Sequence, residues 1–293
     1  IMTNLWDTLP KAIQDIGTIA VEAMLMEATC APAPGLVDRF NSGAHKDMDI
    51  FTFIKSSAAL GPAMYNFAAM GYTFTGELHT LLQHMRSTGI DAEHDMFKAT
   101  NNVNTQKGLL FLLGILCAAA GYTYQQHHKI KAHAVLSNVK VICSNLVAQE
   151  LGNIGNKTNL TAGERLYLTY GVRGIRGEME DGLPAILKVG LPAYREAKAH
   201  GVSEDQCLVH TLLSIMTEAE DTTILHRHDM DTLRRLQSDA KRILSQGGAL
   251  TDEGLQNIYQ LDKEYTDAWI SPGGSADLLA ATHFLYTLEE TYA

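Results

Sequence analysis

Cysteine is scarce in this chain: four residues in 293, at positions 30, 117, 143 and 207. No two stand close enough for a C-x-x-C pair, and no spacing matches a zinc motif. Buried reduced thiols in a reducing cytosol are the expected state. Positive charge is short as well. Lys and Arg total 23 against 33 Asp and Glu, a formal net charge of −10. Nucleic-acid and membrane-surface binders need a basic footprint, so neither class fits. An acidic protein that binds an anion needs local help from metal ions, helix N-termini or a small basic cluster. Alternating strand patterns with N-G or D-G turns are missing, as are repeats, low-complexity tracts and Pro/Ser-rich linkers. One domain spanning 1–293 is expected. The opening "IMTNLWDTLPKAIQDI" lacks the basic n-region and apolar core of a signal peptide. No run reaches the roughly 18 apolar residues expected of a membrane span.

What is present has a helical period. Apolar residues make up 46% and charged ones 19%, enough for a sizeable core. "IGTIAVEAMLMEA" (16–28) sets Ile16, Ile19, Ala20, Ala23, Met24 and Met26 largely along one side. "KGLLFLLGILCAAAG" (107–121) is apolar nearly all round and predicts a central buried helix. "AHAVLSNVKVICSNLVAQEL" (132–151) reads as one long amphipathic helix. "TAGE" (161–164) and "SEDQ" (203–206) have capping-box spacing, so helices should start there. The first box makes "RLYLTYGV" (165–172) helix rather than strand. Gly71, Gly89, Gly121 and Gly201 sit where helices would stop. The fold class is all-α, with roughly ten or more helices.

Polar motifs fall between these helices, and five such loops suggest one site at one end of a bundle. "PGLVDRFNSGAHKDMD" (34–49) carries Asp38, His45, Asp47 and Asp49. Hard divalent cations want oxygen ligands, so Asp38, Asp47 and Asp49 are candidate magnesium ligands. Solvated loop carboxylates, or caps for a helix starting near Ile50, are the ordinary alternative, and His45 reads as structural. In "NTQKG", Lys107 and Gly108 open the buried helix with Asn104 or Thr105 as cap. A lysine beside free N–H groups makes an anion site; an exposed lysine after a plain cap is the alternative. "GVRGIRGEMEDG" offers Arg176 for phosphate and Glu178 as a base, or else an ion pair between them. "EDTTILHRHD" holds Asp221, His226 and Arg227. Its His-Asp dipeptide resembles that of all-helical metal phosphohydrolases, without their companion histidines. "SPGGSAD" places Gly273, Gly274 and Ser275 before an apolar helix, as a nest of N–H groups for an anion or as a plain turn, with Asp277 in the first turn.

Taken together and in order, these motifs resemble one family, the triphosphoribosyl-dephospho-coenzyme A synthases, from about residue 20 to 290. The resemblance implies an all-helical enzyme whose substrates are ATP and 3′-dephospho-CoA. The dephospho-CoA 2′-hydroxyl attacks C1 of the ATP ribose, adenine leaves, and the triphosphate stays. The product is the prosthetic-group precursor for the acyl carrier protein of citrate lyase or malonate decarboxylase. "FTFIKSSAALGPAMYNFA" looks more like the citrate lyase branch. Mg²⁺ on the triphosphate, held by the 34–49 carboxylates, would offset its charge. A base must take the hydroxyl proton, with Glu178 first choice and Asp221 and His226 behind it. An acid should protonate the adenine ring. Asn104, Thr105, Lys107, Gly108, Arg176, Arg227, Gly273, Gly274 and Ser275 would bind substrate phosphates. The family pattern N-T-H-K-G is broken here, with Gln106 in the histidine's place. A nucleotide phosphohydrolase and a non-catalytic nucleotide-binding subunit are the competing classes. The oligomeric state is left open, a homo-oligomer included.

Overall fold

The computed structural model describes residues 8–293; the first seven residues of the opening segment lie outside them. Among the described residues every regular element is helical and no strand occurs. In chain order, α1 is Lys11–Thr29, α2 Ile50–Thr73, α3 Leu81–Ala99, α4 Lys107–His127, α5 Ala132–Ile142 and α6 Leu146–Leu151. Then come α7 Ala162–Tyr170, α8 Gly174–Glu180, α9 Leu191–Ala199, α10 Glu204–Met216, α11 Thr222–Arg227, α12 Met230–Ser245, α13 Asp252–Asp267 and α14 Gly273–Tyr292. A contiguous apolar core runs from Ile13 on α1 to Leu288 on α14.

α4 is the spindle. Its length and hydropathy suffice for a membrane span, against the expectation that no stretch would, but most of its side chains are buried inside the protein. Gly71 and Gly121 do not end helices; they let two helices touch. A Cβ on Gly71 of α2 would sit 1.9 Å from the Ala118 carbonyl oxygen on α4, and one on Gly121 would sit 2.2 Å from that of Ala68. Gly89 lies inside α3. Gly201 behaves as expected: it takes a φ of +68° just past α9.

Local chemistry sets several starts. Thr161 with Glu164, and Ser203 with Gln206, form complete capping boxes for α7 and α10, each satisfying two N–H groups that the helix cannot. The stretch 132–151 is two helices, not one. It breaks at Asn145, which takes a left-handed φ of +62°, a conformation asparagine tolerates better than most residues.

Candidate functional site

The motif loops meet because side chains bolt them together. Asp221 is the main bolt. Its carboxylate caps α11 by accepting from the N–H groups of Thr223 (3.0 Å) and Ile224 (3.3 Å). It also accepts from Gly274 N–H (3.2 Å), Ser275 N–H (2.7 Å) and Ser275 Oγ (2.9 Å) at the start of α14. Arg227 Nη2 donates to the Ala44 carbonyl at 2.9 Å. His45 Nε2 lies 2.9 Å from Ser271 Oγ, and Gly35 N–H donates to Asp262 at 2.9 Å. The 34–49 segment is thereby stitched to two motifs some two hundred residues away.

A cavity of about 620 Å³ opens among these segments, within the size range of small-molecule sites. The first turns of α4 and α7 face it through Lys107, Gly108, Ala162 and Gly163. N–H groups at helix starts, together with the helix dipole, favour anions. Lys107, Arg173 and Arg227 line the same space. So do six carboxylates: Glu27, Glu178, Glu218, Glu220, Asp221 and Asp277. Acid outweighs base, so a polyanion entering here brings or needs further positive charge.

The carboxylates differ in their surroundings. Glu27 on α1 is 6% exposed, and burial pushes its pKa up to about 8. Asp277 on α14 is raised by burial and then by the negative charges of Glu27 and Asp221. Neither Glu27 nor Asp277 has a hydrogen bond or ion pair among the described residues. Asp277 packs against Gly108: its Oδ2 lies 2.5 Å from where a Gly108 Cβ would be. Glu178 accepts from Ala185 N–H at 3.2 Å. Its pKa is raised by burial, with Asp181 and Glu220 adding to the rise. His45 is lowered, first by burial and then by Arg227.

Of the residues expected from sequence, Glu178, Asp221, His226, Asn104, Thr105, Lys107, Gly108, Arg227, Gly273 and Gly274 all line the cavity. Asn104 Oδ1 accepts from Lys107 N–H at 3.2 Å, and Thr105 Oγ1 donates to Ser56 at 2.7 Å. Lys107 Nζ pairs with Glu93 at 2.7 Å. Other placements differ from expectation. Arg176 is not among the lining residues; it lies behind Gly163 and pairs with Glu150 at 2.6 Å. The N–H groups of Gly273, Gly274 and Ser275 point at Ser271 O and Asp221, not outward, so the expected nest is filled by a protein carboxylate.

Asp38, Asp47 and Asp49 are not brought together and none lines the cavity. Asp38 is buried, accepting from Phe40 N–H (2.7 Å) and Asn41 N–H (2.9 Å). Asp49 is the cap of α2, in a reciprocal box with Thr52. Among the described residues no three His, Cys, Asp or Glu side chains form a ready cation cage. The His-Asp dipeptide is structural: His228 Nε2 faces Trp269 O at 2.8 Å, and Asp229 caps α12 through Thr232 N–H at 2.8 Å.

Sequence reasoning missed Glu27, Arg173, Glu218, Glu220 and Asp277 as lining residues. Arg173 folds back across Gly177, where a Cβ would meet its side chain at 2.5 Å, and pairs with Asp181. Glu27 had a legible signal. It stands three and four residues after Met24 and Ala23, on the apolar stripe of α1, where a carboxylate is out of place.

An all-helical chain with a polar cavity fed by helix starts has the architecture of a protein that takes up a small anionic ligand. Residues 13–293 match the ATP:dephospho-CoA triphosphoribosyl transferase family. The chain is 40% identical over 286 residues to a probable 2-(5''-triphosphoribosyl)-3'-dephosphocoenzyme-A synthase of Vibrio cholerae serotype O1, covering 97% of this chain and 90% of that one. It is 37% identical over 277 residues to the 2-(5''-triphosphoribosyl)-3'-dephosphocoenzyme-A synthase of Klebsiella pneumoniae, covering 94% and 91%. A probable enzyme of the same name from Malonomonas rubra is 37% identical over 278 residues, covering 94% and 88%. No solved structure gives a significant match. The chain belongs to the ATP:dephospho-CoA triphosphoribosyl transferase family, and it is an enzyme.

Proposed function

We propose that the protein moves the triphosphoribosyl group of ATP onto the ribose 2′-hydroxyl of 3′-dephospho-CoA and releases adenine. The product is the prosthetic-group precursor for the acyl carrier protein of citrate lyase; the 51–68 stretch favours that branch over malonate decarboxylase. The observation that carries this reading is the meeting of two helix starts, three cations and six carboxylates in one cavity.

Each group has work to do there. Lys107, Arg173, Arg227 and the N–H groups opening α4 and α7 would hold phosphate oxygens. Glu178 is the proposed base. Its raised pKa brings it nearer the operating pH, where proton abstraction is most efficient. It also lacks the ion pair with Arg176 that would tie it down; that arginine serves Glu150. Asp221 is saturated with donors and positions α11 against α14. His226 is exposed at the rim and would contact the substrates rather than take the proton.

Magnesium fits the donor chemistry. In nucleotide sites Mg²⁺ is held by one or two carboxylates plus the phosphates, so no protein cage is needed. Glu218 and Glu220, two residues apart on one loop and both facing the cavity, would hold it. When bound it would neutralise triphosphate charge that the acidic cavity otherwise repels.

The test is direct. Purified protein is given ATP, Mg²⁺ and 3′-dephospho-CoA, and products are separated by chromatography. Adenine should appear only when dephospho-CoA is present. Phosphate release without adenine would make the protein a hydrolase, and neither product would make it a binding subunit.

A further inference from the structure

Two buried polar side chains on the cavity wall, Glu27 and Gln106, have bonding capacity that the protein leaves unused. Glu27 is 6% exposed and has no partner among the described residues. Gln106 is 2% exposed. Its Oε1 accepts from Ser57 at 3.3 Å, but its Nε2 has no acceptor. An orphaned buried donor costs about 1–3 kcal/mol, a cost that an acceptor on a ligand in the cavity would offset. The two lie in one neighbourhood. Gly108, two residues after Gln106, is covered by the Asp277 carboxylate, and Asp277 in turn feels the charge of Glu27. The same cavity has an apolar lining of Leu36, Val37, Ala276 and Leu278, suited to the faces of a flat ring.

We infer that Glu27 and Gln106 seat the adenine base, with Glu27 as the catalytic acid that protonates a ring nitrogen of the departing adenine. This rests on adenine being the leaving group, as proposed above.

The step balances. The bond between ribose C1 and adenine N9 breaks with its electron pair going to the base, and the Glu27 proton neutralises the charge that develops on the ring. The 2′-hydroxyl oxygen bonds to C1 and gives its proton to Glu178. Exchange with water returns that proton and restores Glu27, so the net reaction consumes none. The Gln106 amide donates to a second ring acceptor and holds the base in register. Asp277, a partly exposed carboxyl nearby whose own pKa is also raised, is less suited to carry the proton. It sits against the first turn of α4, whose dipole favours its ionised form. Where two carboxyl groups share a site, one holds the proton, and Glu27 is the more deeply buried of the two, with no dipole or donor to ionise it.

The test pairs Glu27→Gln with ATP analogues in which N7 or N3 is replaced by carbon. Adenine or deaza-adenine release is measured in single turnovers. On ATP the variant should lose about 10²–10⁴-fold in rate. Wild type should suffer a comparable loss on one analogue, and the variant should lose little more on that analogue, because both changes remove the same proton transfer. Losses that multiply for both analogues would overturn the inference, as would full wild-type rates on both. Binding of ATP and the analogues without dephospho-CoA gives a second readout. The critical analogue should bind wild type about fivefold to tenfold more weakly than ATP, while the variant should bind the two alike. Equal discrimination by both proteins would show that Glu27 does not touch the base. If wild type releases no adenine, the proposed reaction fails, and this binding comparison still decides the Glu27 contact.

Discussion

Replacing Glu27 by glutamine should stabilise the protein, by more as the pH rises. In the folded chain burial pushes this carboxyl up to about 8, from an ordinary value of 4.5. Between those two values the folded state binds more protons than the unfolded one. Stability therefore falls as pH rises through that window. The penalty is small below about pH 4.5, reaches about 3 kcal/mol near pH 7, and levels off at about 5 kcal/mol well above pH 8. Glutamine keeps the shape and never ionises, so the variant escapes this slope. Asp277 titrates in both proteins, but the variant also removes the negative neighbour that raises it, which widens the gap in the same direction. The penalty grows by about 3.5 kcal/mol between pH 5 and pH 8, so at roughly 2–4 °C per kcal/mol the gap in thermal midpoint should widen by about 7–14 °C. Paired melting curves across that range, read by circular dichroism, measure it. A gap that stays flat with pH would mean that Glu27 ionises as it does in water, and the burial argument would be wrong.

Glu178→Gln should lower kcat about 100-fold or more with KM nearly unchanged; a raised KM with normal kcat would make Glu178 a binding group. Asp221→Ala removes the clasp between α11 and α14 and should cost about 2–4 kcal/mol in urea denaturation, while an unchanged midpoint would show the clasp to be dispensable. Arg173→Ala and Lys107→Ala should each weaken ATP binding by about 1.5–3 kcal/mol. Arg176→Ala should leave affinity near wild type, and calorimetry giving the reverse ranking would refute the cavity assignment.

The helices were legible where the signal is local. The boxes at Thr161 and Ser203 involve residues three apart, so the sequence carries both partners side by side. Gly71 and Gly121 were misread as stops because their reason lies across the core, in carbonyls of another helix. The aspartates show the same divide. Asp38, Asp49 and Asp221 all stand in polar loops and look alike in one dimension. What separates them is which N–H groups arrive: neighbours at 40 and 41 for Asp38, the turn at 52 for Asp49, and residues 274 and 275 for Asp221. Arg173 and Arg176 stand three residues apart, and the sequence reading singled out only Arg176. Their directions are set by Asp181 and Glu150, and no period in the sequence encodes that choice.

The clasp at Asp221 also bears on how the protein is made. Its donors at 274 and 275 open α14, which packs on α1 and α10 and supplies Asp277 to the cavity wall. A ribosome builds α1 with its buried Glu27 early and α14 some 250 residues later. Until then the apolar side of α1 and the wall beyond residue 221 lack their cover. A growing chain therefore exposes that face and has no closed cavity, and competence should switch on only as the segment after Pro272 docks.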